Sequence, residues 1–220
     1  MTLLVLAAAL RGVVLAAYQP ALIFPDSVRY LQYAHNFIDG RWSPDALRQS
    51  GYSVLIIPIA ALHAEWLIPL TQHLAGLATA VLVYAVLIRF GARTWLAALA
   101  TIPVLFDPLQ LVLEQYVLTD VWTLLLIVGA LVLLVWRRDG LTVRGAALAG
   151  LLLGVAVMFR DQELIMIVPA ALYVLLLRGR RLVRLAALTV NSSSALLSPR
   201  PKTRPARASA SPAANSGPGR

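Results

Sequence analysis

The chain has 220 residues, of which 60% are hydrophobic and 13% charged, with no Cys, a formal net charge of +9 and a mean hydropathy of +0.77. A soluble domain averages about 45–50% apolar and about 25% charged residues, so these values argue against a soluble globule and for an all-α polytopic membrane protein. The lack of Cys excludes disulfides and thiolate metal sites, and basic residues without interleaved aromatics suit lipid headgroups better than nucleic acid.

In chain order, the apolar pattern predicts about six membrane helices. The first runs from about Leu3 to Ile23 and reads as a signal anchor, because no small-residue cleavage site follows it. A polar connection extends from about Phe24 to Gly51. Within it, Pro25-Asp26-Ser27 is a helix-start signal, Val28, Leu31, Ala34, Phe37 and Ile38 recur at helical spacing, and Gly40 is a stop. An amphipathic surface helix is expected there. Tyr52 to His63 is apolar but too short to span, and Pro58 lies inside it, so it reads as a re-entrant or interfacial piece. The second span is about Trp66 to Phe90. The third is about Trp95 to Leu113, interrupted by Pro103 and Asp107-Pro108. The fourth, fifth and sixth are about Val121 to Trp136, Arg144 to Met158 and Leu164 to Leu177. Gly150 and Gly154 have the spacing of close helix packing, expected to be intramolecular.

Charge gives this array a sidedness. Arg89, Arg93, Arg137, Arg138, Arg144, Arg178, Arg180, Arg181 and Arg184 face the single acid Asp139 on one side, which the positive-inside rule makes cytoplasmic. The opposite side holds Asp26, Asp39, Asp45, Glu65, Glu114, Asp120, Asp161 and Glu163, with Arg29, Arg41, Arg48 and Arg160. Both chain ends are then cytoplasmic in an inner (plasma) membrane. The membrane region covers 1–190. The tail 191–220 is rich in Ser, Pro, Ala and Arg and is expected to be disordered, either as a lipid-binding or regulatory segment or as a stretch that replaces the rest of a longer natural protein.

Three connections on the acidic side carry candidate chemistry. Asp26 stands at the start of the amphipathic helix, where it either caps the helix or, partly desolvated at the lip of a bundle, acts as a general base. Glu114 to Asp120 joins the third and fourth spans. Asp120 there can share work with Asp26 as base, metal anchor or substrate anchor, and Glu114 is a candidate substrate contact. Arg160 lies among acids between the fifth and sixth spans. It pairs locally with Asp161 or Glu163, or offers a fork of donors to a phosphate. Asp107, inside the third apolar run, marks either a broken helix or the end of that span. His35, His63 and His73 lack metal-ligand spacing, and a divalent cation on Asp oxygens is compatible with the acids but not specified by them.

Pro25-Asp26-Ser27-x-x-Tyr30-Leu31-x-x-Ala34 after an apolar helix resembles the start of GT-C membrane glycosyltransferases, the polyprenyl-phosphate-sugar-dependent enzymes that include protein mannosyltransferases and lipid A sugar transferases. Ser50-Gly51-Tyr52-Ser53, Leu87-Ile88-Arg89-Phe90-Gly91, Pro103 with Leu118-Thr119-Asp120, and Phe159-Arg160 with Leu164 and Pro169 are similar to further family stretches, in the same order. The resemblance runs from about Leu3 to Leu177 and resembles the N-terminal part of such enzymes, which carry several more membrane helices. It implies a lipid-linked sugar donor met from the outer leaflet, membrane lipids as surroundings, and transfer to an acceptor hydroxyl, usually with inversion. It implies Asp26 as base and Arg160 on the donor phosphate; Tyr30, Tyr33 and Tyr52 either line the sugar site or anchor the chain at the membrane interface. Other classes compatible with the composition are a non-enzymatic membrane protein, such as a transporter half or assembly subunit, and an inactive fragment.

Overall fold

The first apolar run makes a helix until Gln19-Pro20 interrupts it: α1 spans Thr2–Ala17, shorter than the expected Leu3 to Ile23, since Pro20 cannot continue the helical hydrogen-bond ladder. The computed structural model describes residues 2–41, 51–136 and 142–176. Asp45, Arg48, Ser50, the Arg137, Arg138 and Asp139 cluster, Arg178 and the later basic residues, and the tail lie outside the described residues.

The amphipathic segment forms α2, Pro25–Ile38, and Gly40 ends it with a positive φ of 71°. Its first turn is closed by Ser27, whose hydroxyl accepts from the Phe24 N–H at 2.9 Å. Asp26 is therefore not the cap; it is exposed in the first turn, where the helix dipole favours a negative charge. α3 spans Gly51–Ala61 and α4 spans Leu67–Arg89. α5, Thr94–Phe106, and α6, Pro108–Gln115, meet at a bend of 49°. Asp107 caps α6 by accepting from the Leu109 N–H at 3.2 Å, so the third apolar run is a broken helix and α5 does end at Phe106. α7 is Asp120–Val135 and α8 is Val143–Phe159. A 3-10 segment, Asp161–Met166, leads into α9, residues 167–176.

The described residues are helical, with no strand among them. A single parallel bridge pairs Leu22 with Tyr116. Of the described helices, α4 with 23 residues is long and apolar enough to cross a bilayer alone, and α5 with α6 meets that length and composition only as a bent pair, a broken span or a re-entrant loop. The other apolar helices have 11 to 17 residues and fall below the roughly 20 that a straight crossing needs. The outward faces of the helices, long and short, are apolar: Val5, Val13, Leu74, Leu99, Leu131, Leu151 and Leu175 are all exposed. A surface of that kind is unfavourable in water and favourable in lipid.

Packing runs through small residues. Ala7 of α1 meets Ala80 of α4 and Leu105 of α5, and Ala130 and Leu134 of α7 meet Ala149 and Leu153 of α8. Small side chains let backbones approach, which is how membrane helices gain van der Waals contact without a hydrophobic driving force. Gly150 and Gly154 are not part of this. Both are exposed, with open space where a Cβ would stand, because α8 turns Ala149, Leu153 and Ala156 inward instead. The expected intramolecular role of those two glycines is thereby corrected.

Candidate active site

α7 and α8 form a helical hairpin, so the start of one meets the end of the other. Asp120 is the first residue of α7, and Arg160 caps the last turn of α8. An anion at a helix N-terminus and a cation at a C-terminus are each favoured by the macrodipole. The two pair directly, Arg160 Nη1 donating to Asp120 Oδ1, with both side chains about one-third exposed. Arg160 thus reaches across to another connection rather than to its neighbours Asp161 or Glu163. A single contact of this kind leaves other guanidinium N–H groups available to a ligand.

A second element, α2, brings Tyr30 to this pair. The Tyr30 hydroxyl is hydrogen-bonded to the Thr119 side chain and lies within electrostatic reach of Asp26, Arg160 and Asp120. Burial, the largest effect, pushes the Tyr30 phenol above its ordinary value, with Asp26 and Asp120 adding to it and Thr119 and Arg160 opposing it. Asp26 is one helical turn from Tyr30 and lines a small recess with Arg29, Tyr30 and Tyr33. The backbone holds these connections together. Leu22 N–H donates to Gln115 C=O at 3.0 Å, and Val117 N–H donates to Leu22 C=O at 3.2 Å. The chain leading to Asp26 is thereby fastened to the chain leading to Asp120.

Below Tyr30 is an aromatic support. Tyr52 stacks edge-on against Tyr30 at 5.1 Å and against Phe159 at 6.1 Å. Gly51 permits this, since a Cβ there would lie 2.8 Å from Met158 O and 2.9 Å from Phe159 Cδ1. Tyr52 is fully buried and its hydroxyl donates to Gln72 Oε1 at 2.7 Å. The expected wall of three tyrosines is corrected in that respect: Tyr30 and Tyr33 border the recess, and Tyr52 stands behind Tyr30.

Glu114 also departs from its expected place in an open connection. It occupies the last turn of α6 and is fully buried. Its Oε2 accepts from Arg11 Nε at 2.8 Å and faces His73 Nδ1 at 2.7 Å, while Oε1 accepts from Arg11 Nη2 at 2.8 Å and Gln110 Nε2 at 3.1 Å. The reason is Arg11, a cation in the middle of an apolar helix that needs a charged partner. Arg11 and Gln72 carry no expectation from the sequence, and His73 enters there only as a histidine without metal-ligand spacing. The available signal was Arg11 itself, an unexplained charge within an apolar run. Among the described residues, no three or more His, Asp or Glu side chains are placed to hold a metal ion.

Helices with an apolar exterior, polar contacts turned inward and charged groups gathered at the ends of α2, α7 and α8 define a membrane-embedded protein with a polar site at one end of its helices. The chain belongs to the dolichyl-phosphate-mannose-protein mannosyltransferase family, whose model matches residues 52–190. It is therefore a membrane glycosyltransferase of the GT-C class, matching the N-terminal part of such an enzyme. No curated protein and no solved structure matches the chain.

Proposed function

We propose that the protein moves a sugar from a polyprenyl-phosphate carrier to an acceptor hydroxyl at the extracytoplasmic membrane face, using Asp26, Asp120 and Arg160. Asp26 takes the proton of the acceptor hydroxyl. The oxygen attacks the anomeric carbon from the face opposite the phosphate. The bond from that carbon to the phosphate oxygen breaks, and the lipid phosphate leaves with the bonding electrons, giving inversion. Negative charge grows on the leaving phosphate, and Arg160 answers it with the guanidinium N–H groups that Asp120 does not occupy. Asp120 orients Arg160, and Tyr30 with Thr119 borders the sugar.

The observation that carries this reading is the Asp120–Arg160 pair beside Tyr30, with Asp26 one helical turn away from Tyr30 on α2. A general base and a cation on the leaving group are the two parts that such a displacement needs. The acid-rich and Arg-rich alternation of the connections supports six crossings with the site outside and both ends cytoplasmic. A transporter would share one feature, the buried Arg11, Glu114 and His73 cluster beside a broken helix, but membership of a transferase family favours transfer. The test is transfer of radiolabelled mannose from dolichyl phosphate mannose by wild type and Asp26→Asn. Wild type is expected to transfer label and the variant to lose about a hundredfold or more, the range of general-base catalysis. Equal rates would remove Asp26 from the mechanism.

A further inference from the structure

The buried charges around Glu114 touch no part of the proposed reaction, yet they are built in detail. At Asp107-Pro108 the helix breaks. Pro108 has no N–H for the Val104 carbonyl, and the Leu109 N–H is taken by Asp107, so the Leu105 carbonyl also lacks its helical donor. Arg11 serves both, donating from Nη1 to Leu105 O at 2.8 Å and from Nη2 to Val104 O at 3.2 Å. The same guanidinium grips Glu114 through two nitrogens. One side chain of α1 therefore sets the end of α5 against the end of α6. α4 closes the other side. Gly76 has no Cβ where one would stand 1.9 Å from Glu114 Oε1, and Gln72 Nε2 donates to the backbone carbonyls of Glu114, at 2.9 Å, and of Tyr116. Gln72 Oε1 accepts the Tyr52 hydroxyl, and the Tyr52 ring supports Tyr30.

We propose that Gln72 and the Arg11–Glu114 clamp are positioning residues that hold the Tyr116–Asp120 segment and the Tyr52–Tyr30 stack in one register. This rests on the transfer reaction proposed above. Gln72 is the shared link: its two amide ends are fixed by the two things to be aligned, the aromatic stack and the backbone before Thr119-Asp120.

The test uses detergent-solubilised full-length protein carrying Gln72→Met, Tyr52→Phe or both, with dolichyl phosphate mannose as donor. Turnover is normalised to folded molecules, and hydrogen exchange is read in the 116–122 peptide. Each single variant is expected to lower kcat about tenfold with donor KM little changed, as small misplacement of reacting groups does. The double variant is expected to fall no further than the worse single, because both break one link. Gln72→Met also raises exchange in residues 116–122 and leaves α8 unchanged. A purely structural role predicts lower melting temperature with wild-type turnover per folded molecule. That result, additive losses, or unchanged exchange in residues 116–122 would overturn the proposal. If wild type transfers no mannose, the transfer reaction falls instead, and the exchange measurement decides the positioning role alone.

Discussion

Arg160, at the end of α8, donates to the carboxylate of Asp120, at the start of α7, and so ties together two connections that lie on either side of a helical hairpin. The pair is partly exposed, which limits its worth as a stabilising ion pair. Its value lies in orientation: the carboxylate fixes where the guanidinium points.

Asp120→Asn and Arg160→Gln are expected to lower transfer by about a hundredfold, the usual loss when one charge-stabilising donor is removed or misdirected. Arg160→Lys should not restore the rate, because an ammonium lacks the fork that binds Asp120 and phosphate oxygens together. Melting temperatures should remain near wild type, since the pair is partly solvated. Radiolabel transfer and thermal unfolding of the same preparations check both halves.

Gly76→Ala should destabilise the protein strongly. The new methyl group would stand 1.9 Å from a carboxylate oxygen that is buried and bound by Arg11. Overpacking costs about 1–3 kcal/mol, and disrupting a buried ion pair costs about 3–5 kcal/mol more if the pair separates. The measurement is yield of monodisperse protein and its midpoint of thermal unfolding. Gly150→Ala, at an exposed position with open space, should leave both unchanged.

Tyr30 predicts an alkaline limit. Its phenol is raised above the ordinary value of 10.0, chiefly by burial, so the folded state keeps the proton at pH values where the unfolded chain releases it. A raised folded value gives stability that is present below the unfolded value and is lost as pH climbs through the folded one. Wild type should therefore lose more thermal stability than Tyr30→Phe between about pH 9 and about pH 11. Parallel curves would deny Tyr30 its role.

Much of the fold was legible because its punctuation is local. Pro25 and Gly40 bound α2, and Asp107-Pro108 breaks the third apolar run, each through backbone geometry that the residue itself dictates. Asp120 and Arg160 both read as members of acid-rich connections, but their direct contact was not legible: local spacing offers Arg160 Asp161, Glu163 or a phosphate, and the α7–α8 hairpin gives it Asp120. What escaped depends on rotation and depth, which sequence spacing does not record. Glu114 reads as one more outer acid, but the last turn of α6 points it at Arg11. Gly150 and Gly154 read as a packing face, but α8 is rotated to use Ala149 and Leu153. Tyr52 reads as a sugar contact, although Gly51 draws it inward against Phe159.

The central claim is that Asp26 and the Asp120–Arg160 connection face one extracytoplasmic compartment, opposite the Arg-rich connections. The native chain has no Cys, so single thiols report without background. In intact cells, Asp26→Cys and Asp161→Cys should react with a membrane-impermeant maleimide, and Arg93→Cys should react only after permeabilisation. Reaction of the thiols at positions 26 and 93 from the same side would contradict the account.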